Sequence, residues 1–402
     1  MDSSSELKKM AFAQRLEGVP RSFIREILKV AISPEVISFA GGLPNKDLFP
    51  LEALSSSAQK LMTSGDRNIL QYSNTEGYIG LRKKIAERYA KKGLSVHPDN
   101  ILITNGSQQG LDLLAKVFIN EGDKIVIEKP GYLGAIQAFS VFRPSFIPVP
   151  LLDDGIDTIR LEEAVTNESP RLAYLIPNFQ NPSGISYSYE TRQRVADICR
   201  NRLLYLIEDD PYGDIRFKGE PLPSFYHFIP EQTILLGTFS KTVVPAFRLG
   251  WIVAPDDVMD KLIIAKQAAD LHTDYFTQRL VCQYLTDYDV DNHIATISRS
   301  YGEQAKAMIA AIEQYFPPEV KYTRPEGGMF LWITLPRNIN SMELFDRSIQ
   351  ENVAFVPGNP FYTDNENVNT CRLNFSCSNE SEIFIGIQKL SQVIREMMAE
   401  NV

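Results

Sequence analysis

The sequence predicts an α/β protein, with a mostly parallel sheet sandwiched by helices in a larger unit and a smaller α+β unit beside it. Three observations carry that expectation. Short apolar runs bounded by turn residues recur at 124–128, 172–176 and 203–207, the mark of strands buried on both faces. Helical patterns alternate with them, as at 107–119 and 189–200, which is the order of a sheet whose strands are linked by helices on its faces. A length of 402 residues leaves room for the second unit.

The elements follow in chain order. An apolar run at 101–104 leads directly into the helix at 107–119, and further strands are expected at 233–236 and 251–253. Residues 51–290 make up the expected large domain. From Asp291 the character changes. A long helical segment at 294–315 precedes strand-like runs at 328–334 and 371–375, and an amphipathic helix at 380–398 closes the chain. Residues 291–402 are therefore expected to form a small C-terminal domain, completed by an N-terminal segment, 1–50.

Composition excludes several function classes. The net charge is −9, from 41 basic and 50 acidic residues, and there is no long Lys/Arg tract. Such a chain has no bulk electrostatic reason to bind nucleic acid or an anionic membrane. No apolar stretch approaches the roughly 18–20 residues needed to span a bilayer. The N-terminus, MDSSSELKKM, leads into charged sequence rather than an apolar signal core, so a cytoplasmic location is expected. Cys199, Cys282, Cys371 and Cys377 show neither a CxxC pair nor zinc spacing and are expected to be reduced thiols. The four histidines are scattered, which leaves a metal site or a Ser–His nucleophile without support. G-x-G-x-x-G and P-loop motifs are absent.

Five motifs carry the chemistry. Asn105-Gly106-Ser107-Gln108-Gln109 lies between an apolar run and a helix; it suits a phosphate at a helix N-terminus or an ordinary cap at Ser107. Asn181-Pro182-Ser183-Gly184 follows the run at 172–176 and by itself reads as a turn. Glu208-Asp209-Asp210-Pro211-Tyr212 follows the run at 203–207, where ligands bind in open parallel sheets. A carboxylate there needs a cationic or hydrogen-bonding partner, such as a protonated pyridine nitrogen, unless it sits in a solvated loop or caps a helix. Thr238-Phe239-Ser240-Lys241 places a lysine among small hydroxyl residues; desolvation there would make it a Schiff-base nucleophile, whereas most lysines lie on the surface. Arg248 follows seven residues later, a fixed cation suited to phosphate. Together the five supply what pyridoxal 5′-phosphate needs: a Schiff-base amine, a partner for the pyridine nitrogen and phosphate anchors.

Their order and spacing resemble the fold-type I aminotransferases of class I/II. Asn181 precedes Asp209 by 28 residues, and Tyr212 follows Asp209 by three. The resemblance implies a seven-stranded, mostly parallel sheet in the large domain. It also implies that Lys241 holds the cofactor and shuttles the Cα proton, with Asp209 on the pyridine nitrogen and Asn181 and Tyr212 on the 3′-oxygen. Ser107, Gln108, Thr238, Ser240 and Arg248 would surround the phosphate, and Tyr132 would stack on the ring. Tyr72 matches a tyrosine that reaches the phosphate of the neighbouring subunit, which implies a homodimer with shared active sites. Arg372, in Cys371-Arg372-Leu373-Asn374-Phe375, matches the arginine that grips the α-carboxylate, for which a guanidinium fork is suited. Gly41 and Gly42 match the segment lining the substrate pocket, or form a simple tight turn.

Within that family the chain is most similar to the 2-aminoadipate and kynurenine/aminoadipate aminotransferases. The likeness rests on Phe39-Ala40-Gly41-Gly42-Leu43-Pro44, Leu70-Gln71-Tyr72-Ser73, Thr323-Arg324-Pro325-Glu326-Gly327-Gly328-Met329-Phe330 and Asn352-Val353-Ala354-Phe355-Val356-Pro357-Gly358. It implies ping-pong transfer between an L-amino acid, such as 2-aminoadipate or an aromatic or branched-chain donor, and a 2-oxo acid such as 2-oxoglutarate. In Ile24-Arg25-Glu26-Ile27, Arg25 matches an arginine on a mobile N-terminal helix that reads the side-chain carboxylate, or simply decorates an amphipathic helix. A lyase, decarboxylase or synthase would share the cofactor chemistry, since the reaction type depends on which Cα bond stands perpendicular to the ring. A cofactor-sensing regulator would carry the same pattern behind a DNA-binding domain. Here the pattern begins by about residue 20 and the charge is −9, so that alternative is not expected.

Overall fold

Residues along each apolar run alternate between two faces of one sheet, and both faces are covered. The computed structural model describes residues 12–16, 19, 27, 33, 35–364 and 368–400. Its strands are β1 (Ile37–Ser38), β2 (Ile101–Thr104), β3 (Lys124–Lys129), β4 (Ser145–Leu152), β5 (Gly155–Ile156), β6 (Leu172–Leu175) and β7 (Tyr205–Asp209). They continue with β8 (Thr233–Thr238), β9 (Gly250–Val253), β10 (Lys321–Tyr322), β11 (Phe330–Thr334), β12 (Val353–Ala354), β13 (Val356–Pro357) and β14 (Thr370–Asn374).

The larger sheet has the order β2-β9-β8-β7-β6-β3-β4-β5. From β8 to β4 the neighbours are parallel. β9 runs antiparallel between β2 and β8, and β5 returns antiparallel beside β4. On one face Ile125, Ile127, Leu172, Tyr174, Ile234 and Leu236 meet the helices Gly106–Phe118 and Asp256–Ala269. On the other, Val126, Ala173, Leu175 and Leu206 meet Thr158–Glu168 and Tyr189–Arg202, while Ile101, Ile103 and Val253 meet Ile79–Lys91 and Tyr275–Asp287. Burial on both faces is the physical reason these runs are continuous rather than alternating in hydrophobicity.

The sheet has eight strands rather than the expected seven. The addition is the two-residue return β5, where Gly155 and Ile156 pair with the end of β4. β4 itself carries Pro148 and Pro150. Two residues apart, these put their missing N–H groups on the same edge and leave the other free to pair with β3.

A four-stranded antiparallel sheet, β10-β11-β14-β13, packs its apolar side chains against the helices Val290–Tyr315 and Glu380–Glu400. β1 pairs in parallel with β12, Ile37 opposite Val353. Phe39, buried just after β1, closes against Gly386 of the last helix.

Candidate active site

The carboxyl ends of the parallel strands converge with the start of β9, and every motif singled out on that sheet ends there. This is the edge at which open α/β sheets bind ligands. β8 delivers Thr238, whose Oγ1 accepts the Ser240 N–H at 3.1 Å and donates to Leu249 O at 3.1 Å. The tight turn aims Lys241 inward, and its Nζ donates to Gly42 O at 2.7 Å. Burial, with the nearby cations Arg372 and Arg248, holds the lysine well below the usual range, at about 8.

β7 runs two residues beyond the expected end, so Glu208 and Asp209 lie within the strand. Each carboxylate is kept there by donors. Glu208 accepts from Ser224 Oγ at 2.6 Å and Phe225 N at 2.8 Å, and Asp209 Oδ2 accepts from Tyr174 Oη at 2.6 Å. Burial raises Asp209 to about 7, against the pull of the Tyr174 hydrogen bond. Its second oxygen, Oδ1, is buried without a hydrogen-bond partner.

Arg372 stands on β14 and crosses to the larger sheet. Its Nη1 donates to Asn181 Oδ1 at 2.8 Å and its Nη2 to Ala40 O at 2.9 Å. The guanidinium lies 4.2 Å above the Phe330 ring centroid and 5.3 Å from that of Phe361. Burial lowers it to about 10, so it stays charged at neutral pH. Burial also pushes the Tyr132 phenol up to about 12 and Tyr212 up further, so both stay neutral.

At the opposite end of the cavity, the turn after β2 needs glycine twice. Gly106 has φ +72°, and a Cβ there would come within 2.6 Å of Arg248 Nη2. A Cβ on Gly250 would lie 2.6 Å from the Ser107 backbone nitrogen. These close approaches bring the N-terminus of Gly106–Phe118 and the Arg248 fork to one place, a site made for an anion.

The cavity so formed has a volume of about 350 Å³, in the range of small-molecule sites. Of the expected residues it brings together Gly42, Ser107, Gln108, Tyr132, Asn181, Asp209, Tyr212, Thr238, Ser240, Lys241, Arg248 and Arg372. Gly41 adjoins this wall without lining it. Tyr72 is outside it and 80% exposed, its ring edge-on to His272. Arg25 lies outside the described residues.

Several residues the sequence did not single out also belong to the site. Leu43, Ile176, Pro211, Pro245 and Phe330 line the cavity. Tyr174 had a readable signal: a phenol in a fully buried strand has to find a partner, and it finds Asp209. Gln180 is fully buried; its amide donates to Glu128 Oε2 and Pro130 O, both at 2.9 Å. It thereby ties the Asn181 turn to the loop carrying Tyr132.

The charged groups lining the cavity are Lys241, Arg248 and Arg372 against Asp209, a surplus of positive charge for a ligand with a phosphate at one end and a carboxylate at the other. A protonated ring nitrogen would supply the donor that Asp209 Oδ1 lacks, and the Gly106–Arg248 cradle suits the phosphate. Among the described residues, no cluster of His, Cys, Asp or Glu could hold a metal, and no helix is long and apolar enough to cross a membrane. Fold and site together define a pyridoxal-phosphate enzyme of fold type I.

The comparisons narrow that class. The family model for class I and II aminotransferases matches residues 34–390. A 2-aminoadipate transaminase of Thermus thermophilus is 40% identical over 97% of this chain and 98% of its own length. An aromatic-amino-acid aminotransferase of Thermococcus litoralis is 39% identical over 96% of this chain and 94% of its own. A crystal structure of the alpha-aminoadipate aminotransferase of Thermus thermophilus, complexed with N-(5′-phosphopyridoxyl)-L-leucine, superposes with a TM-score of 0.91 at 40% identity, covering 98% of this chain and 99% of that one. The chain belongs to the class I and II aminotransferase family.

Proposed function

We propose that this aminotransferase takes 2-aminoadipate as its leading donor, accepts aromatic and branched-chain amino acids as well, and passes the nitrogen to 2-oxoglutarate. The observation that carries an amino-acid substrate is Arg372, buried and already held by Asn181 Oδ1 and Ala40 O. Its fork is preorganised for an α-carboxylate. The names of the relatives, which act on 2-aminoadipate and on aromatic amino acids, agree with such a donor range.

When bound, the cofactor supplies an electrophilic carbon for an amine and a ring that takes up the electron pair left at Cα. The chain's own residues do the rest. Arg372 and Asn181 orient the α-carboxylate, and Lys241 Nζ takes and returns the Cα proton. Asp209 holds a proton on the pyridine nitrogen, with Tyr174 fixing the carboxylate's rotamer. Asn181 and Tyr212 hydrogen-bond the 3′-oxygen, and Tyr132 stacks on the ring. Ser107, Gln108, Thr238, Ser240 and Arg248 hold the phosphate, while Gly41 and Gly42 shape the substrate wall. Arg25 is assigned to the donor's distal carboxylate from sequence alone.

The chain is read as dividing near residues 50 and 290 into an N-terminal segment, a large cofactor-binding domain and a small C-terminal domain. It is further read as a cytoplasmic homodimer; four free thiols support a reducing compartment.

A donor panel with 2-oxoglutarate tests the substrate. The largest kcat/KM is expected for 2-aminoadipate, with slower turnover of leucine and phenylalanine and a selective loss of dicarboxylic donors in Arg25→Ala. Turnover of other donors without 2-aminoadipate would overturn the choice of donor, and carbon dioxide released in place of a 2-oxo acid would overturn the reaction type.

A further inference from the structure

Behind the phosphate turn, away from the cavity, lies a buried charge that the chemistry above does not use. Lys266 sits on the helix Asp256–Ala269 with a fully buried side chain. Its ammonium donates to Asp270 Oδ1 at 2.9 Å and Oδ2 at 3.0 Å, to Gln109 Oε1 at 3.0 Å and to Thr273 Oγ1 at 3.0 Å. Every one of these partners leads to a strand end or to the turn. Gln109 Oε1 also accepts the Asn105 N–H at 2.8 Å, and Gln109 Nε2 donates to Asp270 Oδ2 at 2.7 Å. Asn105 Nδ2 donates to the same oxygen at 2.6 Å, and Thr273 Oγ1 donates to Ile103 O at 3.2 Å.

An ion pair on a fully buried lysine is a poor route to stability, because the cost of desolvating the charge offsets the attraction. A hydrophobic pair of equal volume would serve the core as well. What this pair supplies instead is direction. Asn105 and Gln109 bracket Ser107 and Gln108, and both are clamped from behind on one carboxylate whose own position is fixed by Lys266. The turn, whose Ser107 and Gln108 line the cavity, is therefore held in one arrangement before any anion arrives, and less ordering cost falls on binding.

Resting on the functional reading above, we infer that Lys266, acting through Asp270, is a positioning residue for the cofactor phosphate. Its effect is specific to that group. Lys266→Met removes the donor while keeping an unbranched side chain of similar length. Equilibrium binding to the apo protein is followed by the absorbance change of the aldehyde, once with pyridoxal phosphate and once with pyridoxal, which lacks the phosphate. The Kd for pyridoxal phosphate should rise about tenfold, roughly the loss of one charge-assisted contact, with pyridoxal within about twofold of wild type.

Parallel weakening of both ligands, or unchanged phosphate-ester affinity in a folded variant, would overturn the assignment. Should Lys266→Met fail to fold, Asn105→Ala removes one of the turn's two side-chain links to Asp270, leaving that through Gln109 and the ion pair intact. It must show the same selectivity, with a rise of about threefold, and equal losses on both ligands would overturn the assignment there too. Wild type binding neither aldehyde would sink the functional reading itself, a result unlike either of the others.

Discussion

Lys241 owes its chemistry to its surroundings. A lysine at about 8 is partly neutral near physiological pH, whereas a solvated one is almost wholly charged. Only the neutral amine attacks a carbonyl, so capture of pyridoxal phosphate by the apo protein should quicken as pH rises and level off above about 8. Below that value the rate should fall about tenfold per pH unit. Stopped-flow absorbance across a pH series checks this, and a profile still climbing toward the solvated-lysine range would contradict the depressed value. Lys241, Asp209 and Asn181 were legible in the sequence because each follows an apolar run at a fixed interval from another polar residue, and Arg372 because its strand motif resembles the family's. Tyr174 carried a signal, a phenol in a buried run, but its partner Asp209 and the whole role of Gln180 depend on contacts that the fold alone brings near.

At the scale of elements, the site depends on the start of β9 passing against the start of the helix Gly106–Phe118. Gly250 is the contact point. A Cβ there would meet Ser107 N at 2.6 Å, Gly106 C at 2.7 Å and Gly237 O at 2.9 Å. All three are backbone atoms, so no side chain can swing away. Gly250→Ala should therefore cost about 1–3 kcal/mol of stability, the usual price of overpacking, and weaken cofactor binding, because the backbone that shifts is the phosphate turn. Denaturant melts and titration with pyridoxal phosphate measure both; a variant with unchanged stability and affinity would show that β9 can move aside. The strands themselves were legible because their two buried faces leave continuous apolar runs. Ends were less so. β7 extends through Glu208 and Asp209 only because Ser224, Phe225 and Tyr174 supply donors, and β5 exists only as a pairing.

At the scale of the whole molecule, the phosphate end of the cavity is its open end. Gln108 and Arg248 are exposed, and Tyr72 stands 80% exposed. A homodimer in which Tyr72 reaches across would close that end, and complementation tests it. Lys241→Ala and Tyr72→Ala dimers should each be impaired. Mixed dimers hold one intact site, with Lys241 from one subunit and Tyr72 from the other, so random remixing should restore about a quarter of wild-type activity. Activity no greater than the sum of the parents would mean that each site is built within one chain. The overall α/β plan was legible in the alternation of runs and helices. How one chain meets another was legible only through the resemblance at Tyr72, because by itself an exposed tyrosine has the same sequence whether it faces water or a partner.

The account as a whole turns on one covalent bond, and borohydride reduction reads it directly. Protein equilibrated with pyridoxal phosphate, reduced, digested and analysed by mass spectrometry should carry the cofactor's mass on the peptide containing Lys241, and Lys241→Ala should carry none. Retention on a different lysine, or no covalent retention at all, would contradict it.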